Sequence, residues 1–114
     1  MSYLVSPFEV SSKTLLGPVK CHFVHLYSAI ATRHSDTIDC LFLVDGQKVT
    51  VAISCAALAE LHENANVSLR DQQLAEIAAL YLRRTIEQGY DPAKTELFIG
   101  GEDLRALARE MGHL

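Results

Sequence analysis

The sequence predicts an α+β domain: an antiparallel or mixed sheet of three to five strands, with about three helices packed on one face. Three observations predict it. Asp45-Gly46 separates two β-rich runs; apolar residues recur at helical spacing from Leu74 to Ile86; and a short apolar run, Thr95 to Ile99, precedes a last amphipathic stretch. At 114 residues the chain has the length of one domain, 1–114. With 49% hydrophobic residues it can build a core without a disulfide or metal staple. Four Phe, four Tyr and no Trp leave that core to Leu, Ile, Val and Ala.

Tyr3 to Val10 and Val19 to Thr32 are apolar enough for strands. Lys20 to Ala31 also fits a helix, because a short apolar run does not settle its own period. The strand reading rests on the β-prone Phe23, Val24, Tyr27, Ile30 and Thr32, and on Gly17-Pro18 punctuating the start. This strand forms a hairpin with Ile38 to Val44 through the loop Arg33 to Thr37. The clearest local signal follows. Ile38 to Val44 and Gln47 to Ile53 flank Asp45-Gly46, a pair suited to a type I′ turn because both central residues need positive φ. A two-residue loop pairs Val44 with Gln47, Phe42 with Val49, Cys40 with Val51 and Ile38 with Ile53. One face of that ribbon is almost wholly apolar. The other carries Asp39, Leu41, Leu43, Lys48, Thr50 and Ala52, the pattern of a sheet with one covered side.

Ser54 is placed to N-cap a helix running through Ala56, Leu58 and Leu61 to about Asn64. Asn64 to Val67 reads as a turn. Ser68, with Asp71 three residues later, matches a capping box and opens a second helix with the stripe Leu74, Ile77, Ala78, Tyr81, Leu82 and Ile86. Gly89 and Asp91-Pro92 end it. Thr95 to Ile99 is a strand. Gly100-Gly101 turns the chain into a last helix with Glu102 and Asp103 in its first turn and Leu104, Leu107, Ala108 and Met111 on its apolar side.

From Ile38 onward this order resembles a family of short bacterial proteins known only as a domain of unknown function. The residues that carry the resemblance are Val44-Asp45-Gly46, Val51, Ile53-Ser54, Ala57-Leu58, the long second helix, Leu97 to Ile99 and Asp103-Leu104, over residues 38–104. The resemblance implies an α+β fold and no function. Members of that family end near the Asp-Leu pair, whereas this chain continues as a helix, and its N-terminal third lies outside the match.

The chemistry is sparse. Fourteen acidic against ten basic residues give a charge of −4, and the basic residues are dispersed among acidic ones. Nucleic-acid binding, which needs a clustered basic face, is therefore not expected. No run reaches the ~18 apolar residues of a membrane span, so no membrane partner is expected. Cys21, Cys40 and Cys55 form an odd set without a CxxC pair, which suits a reducing, cytoplasmic compartment. His22 and His25 would share one face of a helix but, on a regular strand, point to opposite faces and cannot share an ion. Cys21 and His25 would then lie on the same face. Cys55, at a helix N-terminus, is the one candidate for a reactive thiol, yet no pattern supplies its base. Gly100-Gly101 lacks both GxGxxG and a GK[ST] ending, and the following acidic residues repel anions. His62-Glu63 and Arg83-Arg84 are accounted for by a solvated helix face and by the helix dipole.

No catalytic, cofactor-binding or metal-ligating residue is assigned, and no cofactor is expected. The expectation is a non-enzymatic interaction or accessory module that self-associates as a homodimer, with an unidentified protein partner as a further option. A sheet edge in the N-terminal third is where two copies would pair. The alternative is a small enzyme or ligand-binding protein whose site is scattered over the fold; a deep pocket with convergent polar groups would favour it.

Overall fold

The Asp45-Gly46 turn is the seed of the sheet. A computed structural model describes residues 4–14, 17–31 and 35–114 of the chain. Both turn residues have positive φ, 50° at Asp45 and 82° at Gly46, as a type I′ turn requires. The turn joins β3 (Ser35–Val44) to β4 (Gln47–Ser54) in the expected register, Val44 opposite Gln47 through Ile38 opposite Ile53. It is also tied to β2 (Val19–Ala31). The Asp45 N–H donates to the Lys20 carbonyl at 2.8 Å, and the Lys20 N–H donates to Asp45 Oδ1 at 2.9 Å.

β1 (Phe8–Val10) adds to β2, and β5 (Phe98–Ile99) adds in parallel to β4, completing a five-stranded mixed sheet in sequence order. Its buried face holds Cys21, Cys40, Phe42, Val51, Ile53 and Ile99, all without solvent exposure. Phe8 and Phe23 meet the Phe42 ring edge-on at 6.5 and 5.5 Å between centroids. The helices cover only this face: α1 (Cys55–Ala65) lies on β3 and β4, and α2 (Asp71–Glu87) lies on β1, β2 and β4. α3 (Gly101–Glu110) closes over α1 and α2. Leu74, Ile77, Ala78, Leu82 and Ile86 of α2 and Leu104, Leu107 and Ala108 of α3 are buried in the same cluster. Arg84 forks onto both carboxylate oxygens of Glu110, and Arg105 Nη1 donates to Glu60 Oε1 at 3.2 Å, stitching α3 to its neighbours.

Caps set the helix ends. Ser54 Oγ accepts from the Ala57 N–H at 3.2 Å and starts α1; Asn66, at φ 55°, ends it. The second helix begins at Asp71, its N-cap two residues later than the capping-box pattern suggests. Ser68 turns its hydroxyl to His62 Nδ1 (3.0 Å), and Arg70 takes the N-cap, its N–H donating to Gln73 Oε1 at 2.8 Å. Gly89 ends α2 at φ 94°, where a Cβ would also come within 3.0 Å of Thr14 Cγ2. Thr14 Oγ1 donates to the Gly89 carbonyl and anchors the N-terminal segment there.

The first and fifth strands are shorter than their apolar runs. Of Tyr3 to Val10 only Phe8–Val10 is strand, and Tyr3 lies outside the described residues. In Thr95 to Ile99, the Thr95 hydroxyl is held by the Asp91 carbonyl at 2.7 Å, so the sheet begins with the Leu97 carbonyl accepting from Ala52. β3 starts at Ser35 and takes in Thr37, which sequence places in the loop; Thr32, Arg33 and His34 lie outside the described residues.

Candidate functional site

β2 is indeed a strand, but not a regular one. Phe23 pairs with Phe42 and His25 with Leu41, two steps along β2 for one along β3, so Val24 is the extra residue of a bulge. The bulge overturns the face assignment of the histidines. His22, opposite Leu43, and His25, opposite Leu41, stand on the same, uncovered face, whereas Cys21 is fully buried on the other. His25 stacks against Tyr27 at 5.2 Å between ring centroids. Among the described residues no group of three or more His, Cys, Asp or Glu side chains is arranged to hold a metal ion.

The uncovered face is therefore a solvent-facing sheet surface. Lys20, His22, His25, Tyr27, Lys48 and Thr50 are exposed on it, and Asp39, Leu41, Leu43 and Ala52 are half-buried between them. Thr37 Oγ1 donates to Asp39 Oδ1 at 2.6 Å.

Beside that face lies an open edge. β2 has 13 residues and β1 only three, paired with Val19, Lys20 and Cys21. Among the described residues nothing pairs with the outer side of β2 from His22 to Ala31. This stretch also holds three of the five exposed large hydrophobic residues among those described: Val24 (43% exposed), Tyr27 (42%) and Ile30 (87%). Between Cys21 and Ala31 there is no Asp, Glu, Lys or Arg. Edges of this kind are ordinarily blunted by charge, proline or a covering element. Among the described residues a bulge at Val24 is the one such device.

The thiols are placed against reactivity. Burial, then Asp45, pushes Cys21 from an ordinary 9.0 up to about 11, despite opposition from Arg83. Burial, then Asp39 and Asp71, pushes Cys40 up to about 12. Cys55, the first residue of α1, is raised too, by desolvation first and then by Asp36 and Asp39. The two carboxylates and burial thus override the helix dipole, which alone would favour the thiolate.

Three concavities among the described residues are open to solvent, one of them of about 300 Å³ between α2 and α3 against Tyr81, Arg84, Thr85, Gln88 and Asp103. A second, of about 560 Å³, is lined by Ser28, Ala29, Ile30, Asp36, Thr37 and Cys55, at the end of the β2 edge. Another of about 350 Å³ lies between β1 and β2, against Pro7, Phe8, Glu9, Lys20 and His22. The remaining singled-out residues have structural roles. Arg83 sits over the Phe8 ring at 4.9 Å, Arg84 holds Glu110, His62 holds Ser68, and Gly100-Gly101 is the turn from β5 into α3.

What sequence reasoning missed is which part of the N-terminal edge stays open: nothing in the residues of β2 marks a bulge, or shows that β1 would cover so little of it. Comparison with protein-family models, with curated proteins and with solved structures finds no match. No helix among the described residues is long and apolar enough to cross a membrane.

Proposed function

We propose that this chain is a non-enzymatic interaction or accessory module that works as a self-associated pair in the cytoplasm. The observation that carries the reading is the gathering of exposed Val24, Tyr27 and Ile30 along one edge strand whose outer side is unpaired among the described residues. Apolar side chains concentrated in this way mark an association surface. Scattered singly, they would need no explanation. Three free thiols, two of them buried, suit a reducing compartment.

What supports this reading over a ligand-binding protein or small enzyme is the shape and chemistry of the hollows. A ligand site is a concave pocket with a few convergent polar groups. The hollow of about 560 Å³ is an open depression whose one thiol, Cys55, is biased toward its protonated form.

Sedimentation equilibrium tests the reading. A self-associating chain gives a species near 25 kDa, about twice the 12.6 kDa monomer, that dissociates on dilution. A concentration-independent 12.6 kDa species overturns it.

A further inference from the structure

The open side of β2 constrains what can dock on it. An unpaired strand edge presents a row of N–H and C=O groups, which only another extended backbone can satisfy along its length. The occupant is therefore a strand. Its identity follows from the spacing of the exposed side chains. Val24 and Ile30 each lie three residues from Tyr27. In an antiparallel pair of identical strands related by a two-fold axis at Tyr27, Tyr27 stands opposite Tyr27 of the other copy, and Val24 opposite its Ile30. All three exposed apolar side chains are then matched by one symmetry operation. Along the regular part of the strand the faces agree as well, since residues directly opposite in an antiparallel pair lie on the same side of the sheet, Tyr27 on the side of Asp39 and Ile30 on the side of Asp36. Charge agrees too. Self-pairing brings a strand's own charges together, but Cys21 to Ala31 carries no Asp, Glu, Lys or Arg, so no like charges meet. The bulge at Val24 and the strand end at Ala31 bound the regular stretch, whose middle falls between Tyr27 and Ser28.

Resting on the self-association reading above, we propose that two copies join edge to edge, β2 antiparallel to β2 with the two-fold axis at Tyr27, so that the two sheets become one continuous sheet. The pairing uses a single strand edge, so the dimer is sought in the micromolar range, where weak associations are read.

Two sets of variants test this. Ile30 is almost fully exposed in the single chain, so Ile30→Lys leaves the fold intact, as far-ultraviolet circular dichroism would verify. It raises the dimer dissociation constant by about tenfold or more, and Val24→Lys does likewise. The control Tyr90→Lys, exposed but distant in sequence from β2, does not.

In a Cys55→Ser background the register is read by cross-linking. Tyr27→Cys forms a disulfide-linked dimer with itself, because opposite residues in an antiparallel pair lie about 4.5–5.5 Å apart. Ile30→Cys alone does not, its twin being about 20 Å away along the strand. An equimolar mixture of Val24→Cys and Ile30→Cys does. A dimer that survives Ile30→Lys and Val24→Lys unchanged, or a Tyr27→Cys variant that fails to cross-link while dimeric, overturns this interface but leaves self-association standing. A chain that stays monomeric at about 200 µM removes both, and leaves the edge for a strand of a different protein.

Discussion

Replacing Phe42 by alanine empties the centre of the molecule. The Phe42 side chain has no solvent exposure, and Phe8 and Phe23 meet it edge-on from two other strands. Those partners belong to β1 and β2, whose backbones are held in the ladder, so they cannot slide together to close the void. The loss should accordingly sit at the full cost of a buried Phe→Ala change, about 3–5 kcal/mol. The total available to a domain of this kind is about 5–15 kcal/mol, so the variant lies near the limit of folding. At about 4 °C per kcal/mol for a chain of this length, Tm falls by about 12–20 °C. Urea denaturation followed by circular dichroism measures the effect as a lower midpoint at unchanged slope. A loss below about 1 kcal/mol would refute the reasoning, because it would mean that Phe42 is not enclosed or that the sheet collapses freely around it. Tyr90→Ala, at 57% exposure, is the control and should stay within about 0.5 kcal/mol of the parent.

Gly46→Val should destabilise the fold by about 1 kcal/mol or more, since a β-branched residue resists positive φ. The cost is purely conformational, because a Cβ at Gly46 would meet nothing within 4 Å, and denaturation equal to the parent would reject the type I′ turn. Stability should also fall in alkali. Unfolded thiols ionise from about pH 9, whereas folded Cys21 and Cys40 hold their protons until about 11 and about 12. Their raised values therefore contribute stability that is complete below pH 9 and is lost as pH climbs toward those folded values. Urea midpoints at pH 8 and 10 should fall less steeply in Cys40→Ala than in the parent; parallel slopes would contradict the burial of that thiol. With thiol reagents at neutral pH, half-buried Cys55 should react first, and equal rates at all three cysteines would contradict the packing.

The hairpin was legible because its signal is entirely local. Asp45-Gly46 dictates the turn, a two-residue loop dictates the register, and period-two alternation dictates which side is buried. The N-cap at Ser54 was legible for the same reason. The start of α2 was not. Ser68 to Asp71 satisfies the letter pattern of a capping box, yet the reciprocal bond is made by Arg70 and Gln73, from a residue type with little N-cap preference. The faces of His22 and His25 failed on a single inserted residue, because a bulge at Val24 reverses the parity of everything after it.

The candidate interface was half legible. An N-terminal sheet edge was expected as the meeting place of two copies, but which part of it stays open depends on β1 being three residues long against thirteen in β2. That mismatch is a property of tertiary pairing and not of either segment. Lys20 to Ala31 fitted either a strand or a helix because a short apolar run does not settle its own period, and the three-residue spacing of Val24, Tyr27 and Ile30 does not break that tie.

Amide hydrogen exchange of the unmodified chain, compared at about 1 µM and about 200 µM, tests the edge-to-edge account most directly. The outward N–H groups of β2 between Val24 and Ile30 have no partner strand among the described residues of a single chain and should exchange fast when dilute. At the higher concentration they should slow markedly, while the N–H groups of β3 and β4, already paired, stay unchanged. Equal exchange between Val24 and Ile30 at both concentrations would contradict the account.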